Sequence, residues 1–159
     1  MAKVVYVETT VFSARFSHRR DAASVYRRDV TMEWWTSQSA RYELCTSRAV
    51  LAELQAGDYP GQQEAVALAT SVPRIPVPDE ARSIAELYMR HRLMPQGSPG
   101  DALHLALASV EETDFLLTWN IRHLANPNKV EHMTVINRRL GLLTPTIVTP
   151  EMLWEEDSP

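Results

Sequence analysis

The feature that most restricts this chain is a set of short runs that are apolar without alternation. Residues 3–7, 42–46 and 115–118 read this way, as do 146–148 and, more weakly, 75–77 between Pro73 and Pro78. A strand with one wet face alternates apolar and polar residues. A strand buried on both faces does not, and such strands belong to parallel sheets covered by helices on either side. The segments between the runs are long enough to supply those helices. The order of strands and helices therefore predicts an α/β chain with a central parallel sheet.

The intervening segments carry helical signals. In 21–37, Tyr26, Val30 and Trp34 recur at i, i+4 and i+8 with charges between them. Thr9 and Thr10 offer a helix cap after the first strand. Ser47 caps a helix that runs to Ala56 and stops at Gly57. Further helices are expected over 62–70, 78–91, 101–112 and 130–140, with a helical turn near Ile121 and a last turn from Thr149-Pro150. The loop 95–100, rich in proline and glycine, punctuates one domain spanning 1–159 and does not divide it.

Composition removes several classes of function. Sixteen basic residues against 20 acidic ones give a net charge of -4, so the chain is not basic all over, although a local basic patch remains open. Cys45 is the single cysteine. It allows no internal disulfide and no thiolate zinc cage, lies in an apolar run as a core residue, and suits a reducing cytoplasm. The amino-terminal run reaches Glu8 too soon for a signal peptide. No apolar run approaches the ~18 residues of a membrane helix, so no membrane partner is expected. Neither G-x-G-x-x-G nor a P-loop is present, so no organic cofactor is implied.

Sites on open parallel sheets form beyond the carboxyl ends of the strands. Glu8 directly follows the first strand, Asn120 follows the fourth by two residues, and Asp101 lies in the first turn of a helix. Glu53 is an acid among apolar neighbours in Val50-Leu51-Ala52-Glu53-Leu54, and a buried acid needs a partner. Taken singly, each has a plainer reading: Glu8 and Asp101 at helix starts, Glu53 facing solvent, Asn120 in a turn. Taken together, converging carboxylates cannot all ionise cheaply. A hard Mg²⁺ or Mn²⁺ ion removes that cost, and such a site activates water and clamps a phosphodiester.

These residues sit in segments that resemble the PIN-domain family, and within it the VapC-like toxins. Tyr6-Val7-Glu8-Thr9-Thr10-Val11 is similar to its first acid motif and Ser47-Arg48-Ala49-Val50-Leu51-Ala52-Glu53-Leu54 to its second. Gly100-Asp101-Ala102-Leu103-His104-Leu105-Ala106 is the most specific match, to the third. Residues 116–126, with Thr118-Trp119-Asn120, resemble the fourth, and Thr149-Pro150-Glu151-Met152-Leu153 the usual carboxyl end. The resemblance implies a PIN-like three-layer α/β/α fold and cleavage of RNA with Mg²⁺ or Mn²⁺. It also implies toxin–antitoxin pairing, with an antitoxin protein as partner and a homodimer. It carries metal-site roles to Glu8, Glu53 and Asp101, with Asn120 and Thr118 orienting water or the scissile phosphate. Two departures stand out. Glu8 replaces the usual Asp and reaches further by one methylene. Asn120 replaces a frequent Asp and brings no charge. The alternative they leave is a catalytically weakened module that acts by binding RNA or protein.

Other groups surround these motifs. Arg15, His18, Arg19, Arg20, Arg27 and Arg28 form the densest basic stretch, either a phosphate track near Glu8 or a solvated face. His104 and His123 read first as satisfied histidines; His104, three residues after Asp101, shares its helix side. Trp34 and Trp35 cannot both lie on one narrow stripe. The Tyr26/Val30/Trp34 face is therefore a candidate docking surface for the partner.

Overall fold

In the computed structural model, which describes residues 1–157, five strands alternate with seven helices. The strands are β1 (Val4–Val7), β2 (Glu43–Ser47), β3 (Arg74–Ile75), β4 (Phe115–Leu117) and β5 (Thr146–Val148). The helices are α1 (Thr9–Arg15), α2 (Ala22–Ser37), α3 (Arg48–Gln55), α4 (Gln62–Ser71), α5 (Asp79–Arg90), α6 (Pro99–Val110) and α7 (Pro127–Arg139). All strand pairs are parallel, in the order β3-β2-β1-β4-β5. This is the covered parallel sheet expected from the unbroken apolar runs, a PIN-like α/β/α arrangement. Element ends move by one to three residues from the sequence expectation, as is usual where capping geometry sets the boundary.

The strand order reverses at β1. The chain steps from β1 to β2 and β3 on one side, then returns to add β4 and β5 on the other. A crevice opens at such a reversal, because the connections leaving neighbouring strands diverge to opposite faces. Val7 pairs with Leu117 at the last register position of β1 and β4, so Glu8 and Thr118 leave the sheet side by side. β1 is covered from its second residue onward, with Val5, Tyr6 and Val7 all at 0% exposure.

Two expectations change. Thr9 and Thr10 do not cap α1; Glu8 does, its side chain accepting from the Thr10 amide at 3.0 Å. A carboxylate at that position also meets the positive end of the helix. The Tyr26/Val30/Trp34 stripe is not a free face either. Trp34 is fully buried, donates its Nε1–H to the Leu153 carbonyl at 2.7 Å and stacks on Tyr42. Val30 and Trp35 pack against the core, with Trp35 beside Phe12. The solvent-exposed Tyr26 hydroxyl donates to Glu151 Oε2 at 2.6 Å. The residues after β5 thus clasp α2. Gln38 strengthens the clasp by exchanging hydrogen bonds with the backbone of Glu155.

Cys45 lies in the core as expected, its thiol pushed up to about 12 by burial, which keeps it protonated and inert. No helix among the described residues is long and apolar enough to cross a membrane. The packing of Trp34 yields a stability prediction. Trp34→Ala should cost roughly 3–5 kcal/mol in denaturant unfolding, whereas Trp35→Ala, removing a half-buried ring, should cost distinctly less.

Candidate metal and nucleic-acid site

Glu8 is 2% exposed, yet it is a carboxylate. Its Oε2 accepts from the Thr10 amide at 3.0 Å, from the Thr10 hydroxyl at 2.5 Å and from the Thr118 hydroxyl at 2.8 Å. Thr118, itself fully buried, also accepts from the Asn120 amide at 2.9 Å, and Thr10 accepts from the Trp119 amide at 2.8 Å. The two hydroxyls thereby tie the end of β1 to the segment leaving β4. Three donors on one oxygen leave Oε1 as the oxygen available to a ligand. Burial pushes the Glu8 carboxyl above its ordinary range, and the charge of His104 with the Thr10 and Thr118 hydrogen bonds offsets only part of that.

Glu53 reaches the same place from α3. The helix starts where Ser47, last residue of β2, accepts from the Val50 amide. The Glu53 side chain is 37% exposed. Its Oε1 accepts from His104 Nε2 at 2.8 Å and its Oε2 from the Thr9 hydroxyl at 2.6 Å. Burial raises this carboxyl, but the hydrogen bond and charge of His104 and the Thr9 hydroxyl outweigh it, and the net shift is downward. His104 is fully buried on α6. Burial lowers its basicity, and Glu53 together with the charges of Glu8 and Asp101 more than restores it, so its net shift is upward.

Ligand atoms of Glu8, Glu53 and His104 lie within 4.8 Å of one another. That spacing suits donors around one cation, since metal–oxygen distances of roughly 2.0–2.6 Å place opposite ligands about twice as far apart. The residues therefore fit a hard divalent ion. His104 is an unsuitable ligand, however, because Glu53 takes its Nε2 and Tyr6 its Nδ1 at 2.8 Å. The oxygens of the two glutamates are the donors such an ion prefers.

The remaining candidates lie close by but are differently engaged. Asp101 occupies the first turn of α6, one turn from His104, and its Oδ2 lies 2.9 Å from His123 Nδ1. It is not among the three residues of the tight cluster. The Asn120 side-chain oxygen accepts from the His123 amide at 3.1 Å, which fixes the turn after β4 and leaves its amide NH₂ for other partners. Asn120 and His123 also line a cleft of about 1050 Å³, with Thr10 on the same side and His18, Arg19, Arg27 and Arg122 around it. The Arg27 guanidinium stands 5.7 Å above the Trp119 ring. Part of the basic stretch thus opens beside the carboxylates, on a chain whose net charge is negative.

Sequence reasoning overlooked Tyr6 and assigned Ser47, Thr9 and Thr10 only to capping. Tyr6 was detectable: two residues before Glu8 along a strand, it faces the same side of the sheet. The hydroxyl contacts were not, because Thr9 and Thr10 meet partners on α3 and beyond β4.

Against known proteins, the family model described as PIN domain matches residues 5–130. No individual characterised protein matches the sequence significantly. Among solved structures, the fold is similar to the crystal structure of Mycobacterium tuberculosis VapC20, described as a sarcin-ricin loop cleaving toxin. The TM-score is 0.55 at 22% identity, covering 75% of this chain and 92% of that one.

The raised Glu8 carboxyl has a stability consequence. For an acid held above its ordinary pKa, the folded state is penalised as pH climbs past the unfolded value, and the penalty is absent where both states are protonated. Without divalent ions, Glu8→Gln should therefore melt a few degrees above wild type at pH 7. The gap should close on acidification below about pH 4; melting curves across pH, with chelator present, measure it.

Proposed function

The chain belongs to the PIN-domain family, and from that premise we propose that it is a divalent-metal-dependent ribonuclease acting in the cytoplasm as the toxin of a toxin–antitoxin pair. The observation that carries this reading is the meeting of Glu8, from the end of β1, and Glu53, from α3, beside a cleft lined with arginines. Similarity of fold to a toxin described as cleaving the sarcin-ricin loop supports RNA as the substrate class. An antitoxin protein and a homodimer belong to the same reading and rest on the family resemblance.

In this mechanism Glu8, Glu53 and Asp101 hold Mg²⁺ or Mn²⁺. Bound there, the ion supplies an activated water and neutralises charge at a phosphodiester. Thr118 and Thr10 keep Glu8 turned toward the ion by saturating its other oxygen. Asn120, at the wall of the cleft, orients water or phosphate through its free amide. Arg19, Arg27 and Arg122 take the phosphates of the strand on either side of the scissile bond. Trp119, held by the hydrogen bond from its Nε1 to Thr31 Oγ1 at 2.8 Å, braces Arg27.

The decisive experiment is RNA cleavage by the purified chain with Mn²⁺, with Mg²⁺ and with chelator. Cleavage should require the ion, and Asp101→Asn should lower it more than about 100-fold, beyond the range of outer-shell partners, with an unchanged melting curve. Equal cleavage by wild type and variant, or indifference to chelator, would replace the nuclease by the RNA- or protein-binding module. The cleft gives a separate prediction. Arg27→Ala and Arg122→Ala should each weaken RNA binding and reduce the slope of log K against log salt by about 0.7, read by binding titrations at several ionic strengths.

A further inference from the structure

We propose that Tyr6 and His104 form a buried positioning relay that fixes the Glu53 carboxylate for the cation. This rests on the metal-nuclease reading above. Glu53 needs such a device. Unlike Glu8, it sits on a helix surface with 37% of its side chain exposed, and a free glutamate loses appreciable rotamer entropy when it must hold one position. Its Oε1 is held by the Nε2–H of His104 at 2.8 Å, and the carboxylate also lies hard against α6. A Cβ added at Gly100 would come within 2.7 Å of that same oxygen, so glycine at 100 makes room for the pose that His104 dictates.

The direction of the hydrogen bonds follows from the partners. The Glu53 carboxylate only accepts, so the hydrogen lies on His104 Nε2. His104 Nδ1 then pairs with the Tyr6 hydroxyl, 2.8 Å away. Burial keeps the Tyr6 phenol protonated, and its oxygen can accept from the Ser47 hydroxyl at 2.7 Å. Ser47 in turn accepts from the Val50 amide at the start of α3, the helix that carries Glu53. The relay closes on itself: Ser47 to Tyr6 to His104 to Glu53, and back along α3 to Ser47. Tyr6, Ser47 and His104 are all at 0% exposure. These three side chains are closed to solvent, so the ring orientation of His104, and with it the place of Glu53 Oε1, is set by the core. His104 acts through Glu53 and does not itself bind the ion.

The test is direct Mn²⁺ binding by the full chain, followed by titration calorimetry and by the electron paramagnetic resonance signal of free Mn²⁺. Wild type should bind. His104→Leu, which fills the space without a donor, should bind about 10–100-fold more weakly, the usual cost of losing an outer-shell partner. His104→Gln, which returns a donor at the far end of the side chain, should recover most of that loss. In cleavage assays the His104→Leu defect should shrink as Mn²⁺ is raised, with KM for RNA unchanged. Gly100→Ala, which leaves Ser47, Tyr6 and His104 unaltered, should weaken Mn²⁺ binding by displacing Glu53 Oε1, and it tests the need for a fixed Glu53 even where His104→Leu fails to fold. Wild-type affinity in a folded His104→Leu protein, or in Gly100→Ala, would overturn the relay and leave the metal-nuclease reading intact. Absence of Mn²⁺ binding by wild type would overturn both.

Discussion

A buried carboxylate at the point where the strand order reverses is the constraint around which the rest is arranged. Glu8 is sealed from solvent at the end of β1, where an unpaired charge would cost far more than a single surface contact returns. The surrounding chain answers with three donors on one oxygen, two of them from the first turn of the helix that Glu8 itself caps. The third comes from Thr118 and requires β1 and β4 to be neighbours in register. The parallel topology and the hydrogen bonding of Glu8 are therefore one structural fact seen at two scales.

The two glutamates are held by unlike means. Hydroxyl groups surround Glu8, while an imidazole and a single hydroxyl hold Glu53. The difference matches their positions. Glu8 lies in the loop directly after a strand, where neighbouring backbone and short side chains are within reach. Glu53 lies in α3, where a ring projecting from α6 and the Thr9 hydroxyl of α1 reach it. The consequence is electrostatic as well as steric: Glu8 is pushed up by burial, whereas Glu53 is drawn down by His104. A pair of acids with opposed shifts is a common mark of a functional site, and here Thr10, which donates to Glu8, also lines a cleft that carries Arg19, Arg27 and Arg122.

Much of the fold was legible because the sheet is buried on both faces. Such strands must be apolar throughout, so β1, β4 and β5 stood out as short unbroken runs. Ser47 and Gly57 bracketed α3 because capping is a local matter, decided within three residues. The stripe on α2 misled for a related reason. Periodicity reports that a helix has an apolar face, but not whether that face meets the chain's own core. Trp34 meets Leu153, 119 residues further along the chain.

The sequence alone determined the covered parallel sheet and the four polar positions that follow the strands or lie in the helices beside them. These follow from hydrophobic pattern, chain order and local capping, all of which are properties of consecutive residues. Only the tertiary structure decided which of those positions touch. It brought Glu8 and Glu53 together with His104, set Asp101 against His123, and gave the Asn120 oxygen to a turn. It also drew Tyr6, read only as a strand residue, into a ring of hydrogen bonds. The Tyr6 contacts depend on side-chain reach across gaps between elements separated by 41 and 98 residues in the chain. Nothing in the local pattern encodes them, because the energy of a buried hydrogen bond exists only once both partners have left water.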